Sequence, residues 1–374
     1  MSGDKESENL RVVAMYPLIG STWENSHLTK DCGLVPFLLH KLFGMEADMV
    51  GCTDRLEDYP SLALMDGLNL VSLPGDGIEE KVDYLVENGK SIDLLVLHGI
   101  YATNQAMAIM YKLANPNGKV LVQTDLNFGW LERTDETESM FQQFLTASDV
   151  MAASCTEMAH QAAKKWNRDV ICLTNGYYSW EREPENEKIL HDKEDVILTV
   201  GRLGTSQKAT EVLLEAFRII SDEIPGWTLR LVGSVDEGFK PYINEYYEKN
   251  PLLRDRVVFT GVITDKKKLS AEYGKAKVFT LSSRYEGGPN VIAESLHAGC
   301  VPVITRIDAW RDCTADSSLG AVAEIDDIEG YALELKKTCL NPDLMMQSQL
   351  AREYADKFFN MEKNIRYLHD LLFG

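Results

Sequence analysis

Nowhere does the sequence carry a run of eighteen apolar residues, so no ordinary membrane-spanning helix is expected. The opening stretch, Met1-Ser-Gly-Asp-Lys-Glu-Ser-Glu-Asn9, is polar and lacks the hydrophobic segment of a secretory signal, and the expected location is therefore the cytoplasm. Cysteines are few and unpatterned: Cys32, Cys52, Cys155, Cys172, Cys300, Cys313 and Cys339 form no Cys-x-x-Cys pair, and an odd number gives no disulfide framework. They read as small buried or partly exposed thiols. Cations are also short, 38 Lys and Arg against 58 Asp and Glu, for a formal net charge of −20. The deficit is shared, with 13 cations against 25 anions in residues 1–180, so neither half is basic. A phosphate backbone would be repelled at long range, which disfavours nucleic acid as a partner. Docking on anionic lipid, where each cation contributes about 1 kcal/mol, is disfavoured for the same reason.

What is present is alternation. With 45% hydrophobic residues in 374, the chain can bury two cores. Leu10–Tyr16, Ile92–His98, Lys119–Asp125 and Val150–Ser154 read as buried strands, interleaved with helices over Leu34–Leu42 and Cys155–Lys165. Val170–Gly176 closes this half. Repeated strand-helix units imply a parallel sheet covered on both faces, an α/β doubly wound domain. The segment 179–194, rich in Glu, Lys and Asn, is the expected linker between a domain over 1–178 and a second over 195–357.

The second half carries the chemistry. Ala276–Ser283 reads as a strand, Gly287-Gly288-Pro289 as a break, and Asn290–Ala298 as a helix. A helix N-terminus presents unpaired N–H groups and partial positive charge, which suits a diphosphate. Glu286 on the loop can accept from sugar hydroxyls, and Glu294, one turn into the helix, from a diol such as a ribose. Upstream, Val196–Leu203 is a strand ending in Gly201 and Arg202, with Lys208 before the helix Glu211–Ile220. Thr228–Ser234 and Arg256–Val262 repeat the strand-then-glycine pattern with Gly233 and Gly261, leaving room for close backbone approach. Cys300–Thr305 adds a further strand.

This order of motifs, from Val196 to Thr305, resembles the retaining glycosyltransferases of family four, and the resemblance covers nearly the whole chain. It implies the GT-B fold: two Rossmann-like, doubly wound domains facing across a cleft, with a C-terminal helix over 358–374 crossing back to the first. It implies that Arg202 and Lys208 hold the diphosphate of a sugar donor, that Glu286 touches the transferred sugar, and that Glu294 binds the ribose. Backbone at Gly261, Val262 and Ile263 is implied to face the nucleobase, and amides near Gly288, Asn290 and Val291 the sugar and phosphate. Two departures from the family are visible. Lys208 precedes Ala209 where the family usually has glycine, and Pro289 removes one amide.

Acceptor-side candidates lie in the first half. His98 follows a buried strand, where related transferases often carry a histidine beside the reacting sugar; a structural histidine is the alternative. Asp125 and Asn127 lie in a strand-following stretch with aromatics, as a sugar pocket would; Asp125 would help activate or orient the acceptor, with helix capping as its alternative. The loop Ile19–Gly33 offers Lys30 and Gly33 for a phosphate, with His27 a weaker candidate. The implied activity is transfer of a hexose-type sugar from a nucleoside-diphosphate sugar to a hydroxyl of a glycan, a glycosylated protein or a small molecule. No Asp-x-Asp stands in a diphosphate position, so no metal and no cofactor are expected. The alternatives are a sugar-nucleotide epimerase, a phosphorylase, or a non-catalytic partner subunit of a transferase. Retention of Arg202, Lys208, Glu286 and Glu294 argues against the last.

Overall fold

The computed structural model describes residues 10–180 and 193–374. Contacts divide the chain into two compact units, one reaching Asn175 and including Met361–Gly374, the other Gly176–Asn360.

The first unit is built on seven strands: β1 (Arg11–Met15), β2 (Glu46–Cys52), β3 (Leu68–Ser72), β4 (Leu94–His98), β5 (Lys119–Gln123), β6 (Val150–Ala153) and β7 (Ile171–Cys172). They pair throughout in parallel, in the order β3-β2-β1-β4-β5-β6-β7. Consecutive residues are buried without alternation, Val12 to Met15 in β1 and Leu94 to Leu97 in β4, because helices cover both faces. Full burial of each Val, Leu and Met side chain among them contributes about 1.5–3 kcal/mol. Two of these strands, β2 and β3, are absent from the pattern read in the sequence. For β2 the reason is Asp48, a buried acid within the strand, which accepts from Arg11 Nε of β1 at 2.8 Å and from Asn69 Nδ2 of β3 at 3.0 Å. A carboxylate is tolerated there only because its neighbours across the sheet supply partners.

Six parallel strands form the second unit: β8 (Glu194–Val200), β9 (Thr228–Val232), β10 (Val257–Gly261), β11 (Ala276–Leu281), β12 (Val301–Thr305) and β13 (Ala321–Ala323). Their order is β10-β9-β8-β11-β12-β13. Leu213 and Phe217 of the helix Thr210–Ile220 pack into a core with Ile197, Leu229, Leu231 and Val278. In both sheets the chain winds outward in one direction and returns to wind in the other. The reversal falls between β1 and β4 in the first sheet and between β8 and β11 in the second, and the crevice outside such a point is where ligands bind.

Most of the expected linker, residues 181–192, lies outside the described residues. Gly176–Tyr178, read from sequence as the end of the first domain, belong to the second unit, where the Tyr177 N–H donates to Phe359 O at 2.9 Å. The expected single helix over 358–374 is instead the end of one helix, Leu344–Phe358, and the whole of another, Met361–Phe373. The latter packs on the first unit's helix Asp31–Phe43, with the His369 ring stacked on Phe43 at 3.6 Å and Asn364 Nδ2 donating to Thr174 O at 3.2 Å. Among the described residues no helix is long and apolar enough to cross a membrane.

Candidate functional site

In the second unit three strand-end glycines lie side by side. Gly201 N–H donates to Val232 O at 2.9 Å and Gly233 N–H to Gly261 O at 3.0 Å. Gly233 adopts φ +140°, and a Cβ built there would lie 1.8 Å from the Gly201 carbonyl oxygen, so only glycine fits. A Cβ on Gly201 would lie 3.4 Å from Lys208 Cε, which shows that the lysine stem crosses over this glycine. The turn from Arg202 to Ala209 holds itself together: Thr205 Oγ1 donates to Arg202 O at 3.1 Å, and Arg202 Nη2 donates to Gln207 Oε1 at 2.8 Å. Ala209, where the family pattern has glycine, is buried in the left-handed region at φ 43° and directly precedes the helix Thr210–Ile220. The backbone of a Lys-Gly pair is thus kept without the glycine, at a conformational cost of about 1–2 kcal/mol.

The stretch after β11 docks on this turn. Arg284 N–H donates to Gln207 O at 2.8 Å, Gln207 Nε2 donates to Tyr285 O at 3.1 Å, and Ser282 Oγ donates to Lys208 O at 2.9 Å. Arg284 also forms ion pairs with Glu211 and Asp326, both at 2.8 Å, and these hydrogen bonds hold its guanidinium firmly protonated. As a result Lys208 Nζ meets Glu286 Oε1 in an ion pair, and Ser283 Oγ donates to the same oxygen at 2.7 Å. Both partners are mostly shielded, with side chains 15% and 11% exposed. The helix Asn290–His297 follows, and its first amides, at Asn290 and Val291, have no carbonyl partner within the helix. Pro289 caps it through its carbonyl, which accepts from Ile292 N–H at 3.0 Å.

Glu294 is held from beneath. The buried Tyr273, on the helix Lys266–Lys275, donates its hydroxyl to Glu294 Oε2 at 2.8 Å. Burial first, and then the facing carboxylate, push the Tyr273 phenol far above its ordinary range, so it stays a donor. That orientation leaves Glu294 Oε1 to accept from a ligand. Tyr273→Phe is therefore expected to weaken nucleotide affinity by about ten- to a hundredfold, the cost of one charged hydrogen bond at about 1.5–3 kcal/mol. Calorimetric titration with nucleoside diphosphates and their 2′,3′-dideoxy forms checks it. The loss should fall on the nucleotide with hydroxyls and spare the dideoxy form.

Gly261 and Val262 are exposed, and Ile263 is half-buried, at the end of β10. Together with Gly201, Arg202, Lys208, Gly233, Glu286, Gly288, Asn290, Val291 and Glu294, the sequence-derived donor residues are all carried by the strand ends of one sheet, the loops that follow them and the helix Asn290–His297. Gln207 and Arg284, which help to position them, were not legible: nothing in the local pattern signals a partner 78 residues away.

In the first unit His98 ends β4, one side of the switch point, and is 6% exposed. Its Nδ1 lies 3.6 Å from Asp31 Oδ2, and its Nε2 is buried without a hydrogen-bond partner. Burial lowers its pKa to about 4, against the opposing pull of Asp125. Burial conversely raises the carboxyls of Asp31 and Asp125, and each is within electrostatic reach of Lys30. Asp125 itself is reached by solvent but closely surrounded by protein atoms, in the left-handed region at φ 48°. His27 accepts from Glu24 N–H through Nδ1 and serves the short helix Asn25–Leu28.

Two expectations give way here. Gly33 does not open space for a phosphate, because a Cβ there would lie 2.2 Å from Leu28 O; it is small so that two helices can touch. Asn127 caps the helix Phe128–Glu132, its Oδ1 accepting from Trp130 N–H at 2.9 Å. Among the described residues Asp31, Cys32 and His98 bring potential metal ligands within 4.8 Å of one another. Burial holds the Cys32 thiol protonated, and Lys30 and the N-terminus of the helix Asp31–Phe43 oppose a cation.

The His98 shift has a consequence for stability. Above pH 6.5 the imidazole is neutral in folded and unfolded chains alike. Between pH 6.5 and about 4 only the unfolded chain takes up the proton, so stability is lost as pH falls, on the order of 3 kcal/mol in all. Asp31 and Asp125 act in the opposite sense, because their raised carboxyls protonate first in the folded state. Urea titrations at pH 7, 5.5 and 4.5 should show His98→Gln less acid-sensitive than the parent; equal slopes refute the burial argument.

Residues 194–341 match the family model of Glycosyl transferases group 1. An uncharacterized glycosyltransferase of Haemophilus influenzae is 24% identical over 300 residues, covering 77% of this chain and 78% of that one. Mannosylfructose-phosphate synthase of Agrobacterium fabrum is 34% identical over 115 residues, 29% of this chain and 25% of its own. Among solved structures, HepE of Anabaena in complex with UDP superposes with a TM-score of 0.72 at 15% identity, covering 97% of this chain and 99% of that one. Sucrose-phosphate synthase of Thermosynechococcus elongatus does so at 0.69 and 18%, covering 96% and 98%. The likeness to these structures establishes the GT-B fold of two parallel-sheet Rossmann-like domains.

Proposed function

Since residues 194–341 form a group 1 glycosyltransferase domain, we propose that the chain moves a hexose-type sugar from a nucleoside-diphosphate sugar to a hydroxyl acceptor, with retention at the anomeric carbon and without a metal ion. The observation that carries this reading is the meeting of Lys208 and Glu286 at the β8/β11 switch point, beside Arg202 and the first amides of the helix Asn290–His297. Cations and oriented N–H groups stabilise the leaving diphosphate as the bond from its oxygen to sugar C1 breaks. The acceptor oxygen forms its bond to C1 on the same face, and the acceptor proton passes to the departing phosphate oxygen. Glu286 positions the sugar through its hydroxyls, and Glu294 the ribose. The first unit is assigned to the acceptor, with His98 as a neutral imidazole that offers a hydrogen bond to a sugar, and Asp125 orienting the acceptor. Seven free cysteines support a reducing, cytoplasmic setting.

The HepE complexes with UDP and UDP-glucose make uridine diphosphate the first nucleotide to try. Thermal stability is measured against a panel of nucleoside diphosphates and their sugars. A ligand at 100 times its dissociation constant adds about 2.7 kcal/mol to the folded state. A selective shift that disappears in Glu294→Ala is the expected result, and no shift with any nucleotide refutes the donor site.

A further inference from the structure

At the carboxyl ends of β4 and β5 the first unit holds a recess of about 310 Å³, at the lower end of the size range for small-molecule sites. Its edge is aromatic. Trp130 and Tyr101 are 49% and 39% exposed, an unusual state for such large rings on a single patch, and buried Leu126 and Phe141 line the recess as well. Gly99 makes the arrangement possible, since a Cβ there would collide with the Tyr101 ring at 2.3 Å.

The polar groups around this edge have spare capacity. Arg133 lies over the Trp130 ring, 5.3 Å from its centroid, and forms no ion pair among the described residues. Among those residues the Asp125 carboxylate and the Tyr101 hydroxyl likewise have no hydrogen-bond partner. Arg133 can only donate, ionised Asp125 can only accept, and Tyr101 can do both. The exposed ring surface of Trp130 and Tyr101, with separate donors and acceptors in the same lining, matches a pyranose, which presents a C–H face and a belt of hydroxyls that each give and take a hydrogen bond. The charges select further. Asp125, Asp135 and Glu138 line the recess against Arg133 alone, a balance that repels phosphorylated and uronic sugars.

We infer that this recess is a saccharide-binding site, taking a neutral or acetamido sugar as the acceptor and reading it through Trp130, Tyr101 and Arg133. Its role as acceptor site rests on the transferase reading above; its affinity for sugar does not.

The test is saturation-transfer NMR on the full chain without nucleotide, using a panel of neutral, N-acetylated, uronic and phosphorylated disaccharides. Neutral or N-acetylated members should bind, and Trp130→Ala and Arg133→Ala should each weaken that binding about tenfold. Both side chains are exposed, so the variants should keep the parental melting temperature and the parental thermal shift with nucleoside diphosphates. Binding by no neutral or N-acetylated member, preference for the anionic ones, or parental affinity in Trp130→Ala overturns the inference. Nucleotide shifts without saccharide binding sink the recess alone. Saccharide binding without any nucleotide shift sinks the transferase reading and leaves the recess standing.

Discussion

Lys208→Ala is expected to lower kcat/KM by about thirty- to a thousandfold, on the order of 2–4 kcal/mol of transition-state stabilisation. The argument is one of position. The lysine stem crosses over Gly201 and its ammonium group sits in a mostly shielded pair with Glu286, so the charge is held in place before any ligand arrives. A preset cation costs no reorganisation when the diphosphate departs. The loss should be greater in kcat than in the melting temperature, because Ser283 and the backbone still hold Glu286. It should also weaken nucleoside diphosphates more than nucleoside monophosphates. Since Lys208 and Glu286 act as one unit, Lys208→Ala combined with Glu286→Gln should cost much less than the two single losses added together. Steady-state kinetics on the four proteins, once a donor is identified, checks this; additive losses or near-parental turnover in Lys208→Ala count against the assignment.

Gly233→Ala should produce the largest loss of stability, about 4 kcal/mol or more, in the exceptional class of point substitutions. The new methyl would stand 1.8 Å from the Gly201 carbonyl oxygen, an atom that cannot swing aside because Gly201 N–H is bonded to Val232 O. The backbone at φ +140° adds strain for any residue with a side chain. Relief requires β8 and β9 to part at their ends, which displaces Arg202 and the turn carrying Lys208. Nucleotide binding is therefore expected to fail together with stability. Urea unfolding followed by circular dichroism measures the first and calorimetric titration the second. By contrast Gly261→Ala meets no atom within 4 Å and carries only the strain of φ +76°, so it should be the milder of the two. Equal effects would mean that the close contact at Gly233 is not the cause.

Much of this was readable along the chain. The strand-glycine ends at Gly201, Gly233 and Gly261, the loop-helix passage from Glu286 to Glu294, and the buried runs of β1, β4, β5, β8 and β11 are local patterns. A glycine requirement, a period of burial and a helix start depend on residues within a few positions of one another, so they survive in a single sequence. The glycine-free Lys208-Ala209 pair looked like a departure, yet Ala209 takes the left-handed conformation, and the single Ser282 hydroxyl proton is shared between the Lys208 and Ala209 carbonyls.

What tertiary structure alone decided is which distant groups meet. β2 was hidden because Asp48 breaks an apolar run, and only its partners Arg11 and Asn69 across the sheet make its burial tolerable. Asn127 and Gly33, read as acceptor groups, serve as a cap and a packing contact toward Trp130 and Leu28, roles that are local along the chain and belong with what residue type and spacing allow. Lys208 with Glu286, Tyr273 with Glu294, and the dry environment that keeps His98 neutral are, like the partners of Asp48, decided by the fold. Residue type and spacing determined the chemistry available to this chain. Strand order determined which of those groups share a few ångströms, and burial set their charge, because both depend on neighbours that the linear sequence keeps far apart.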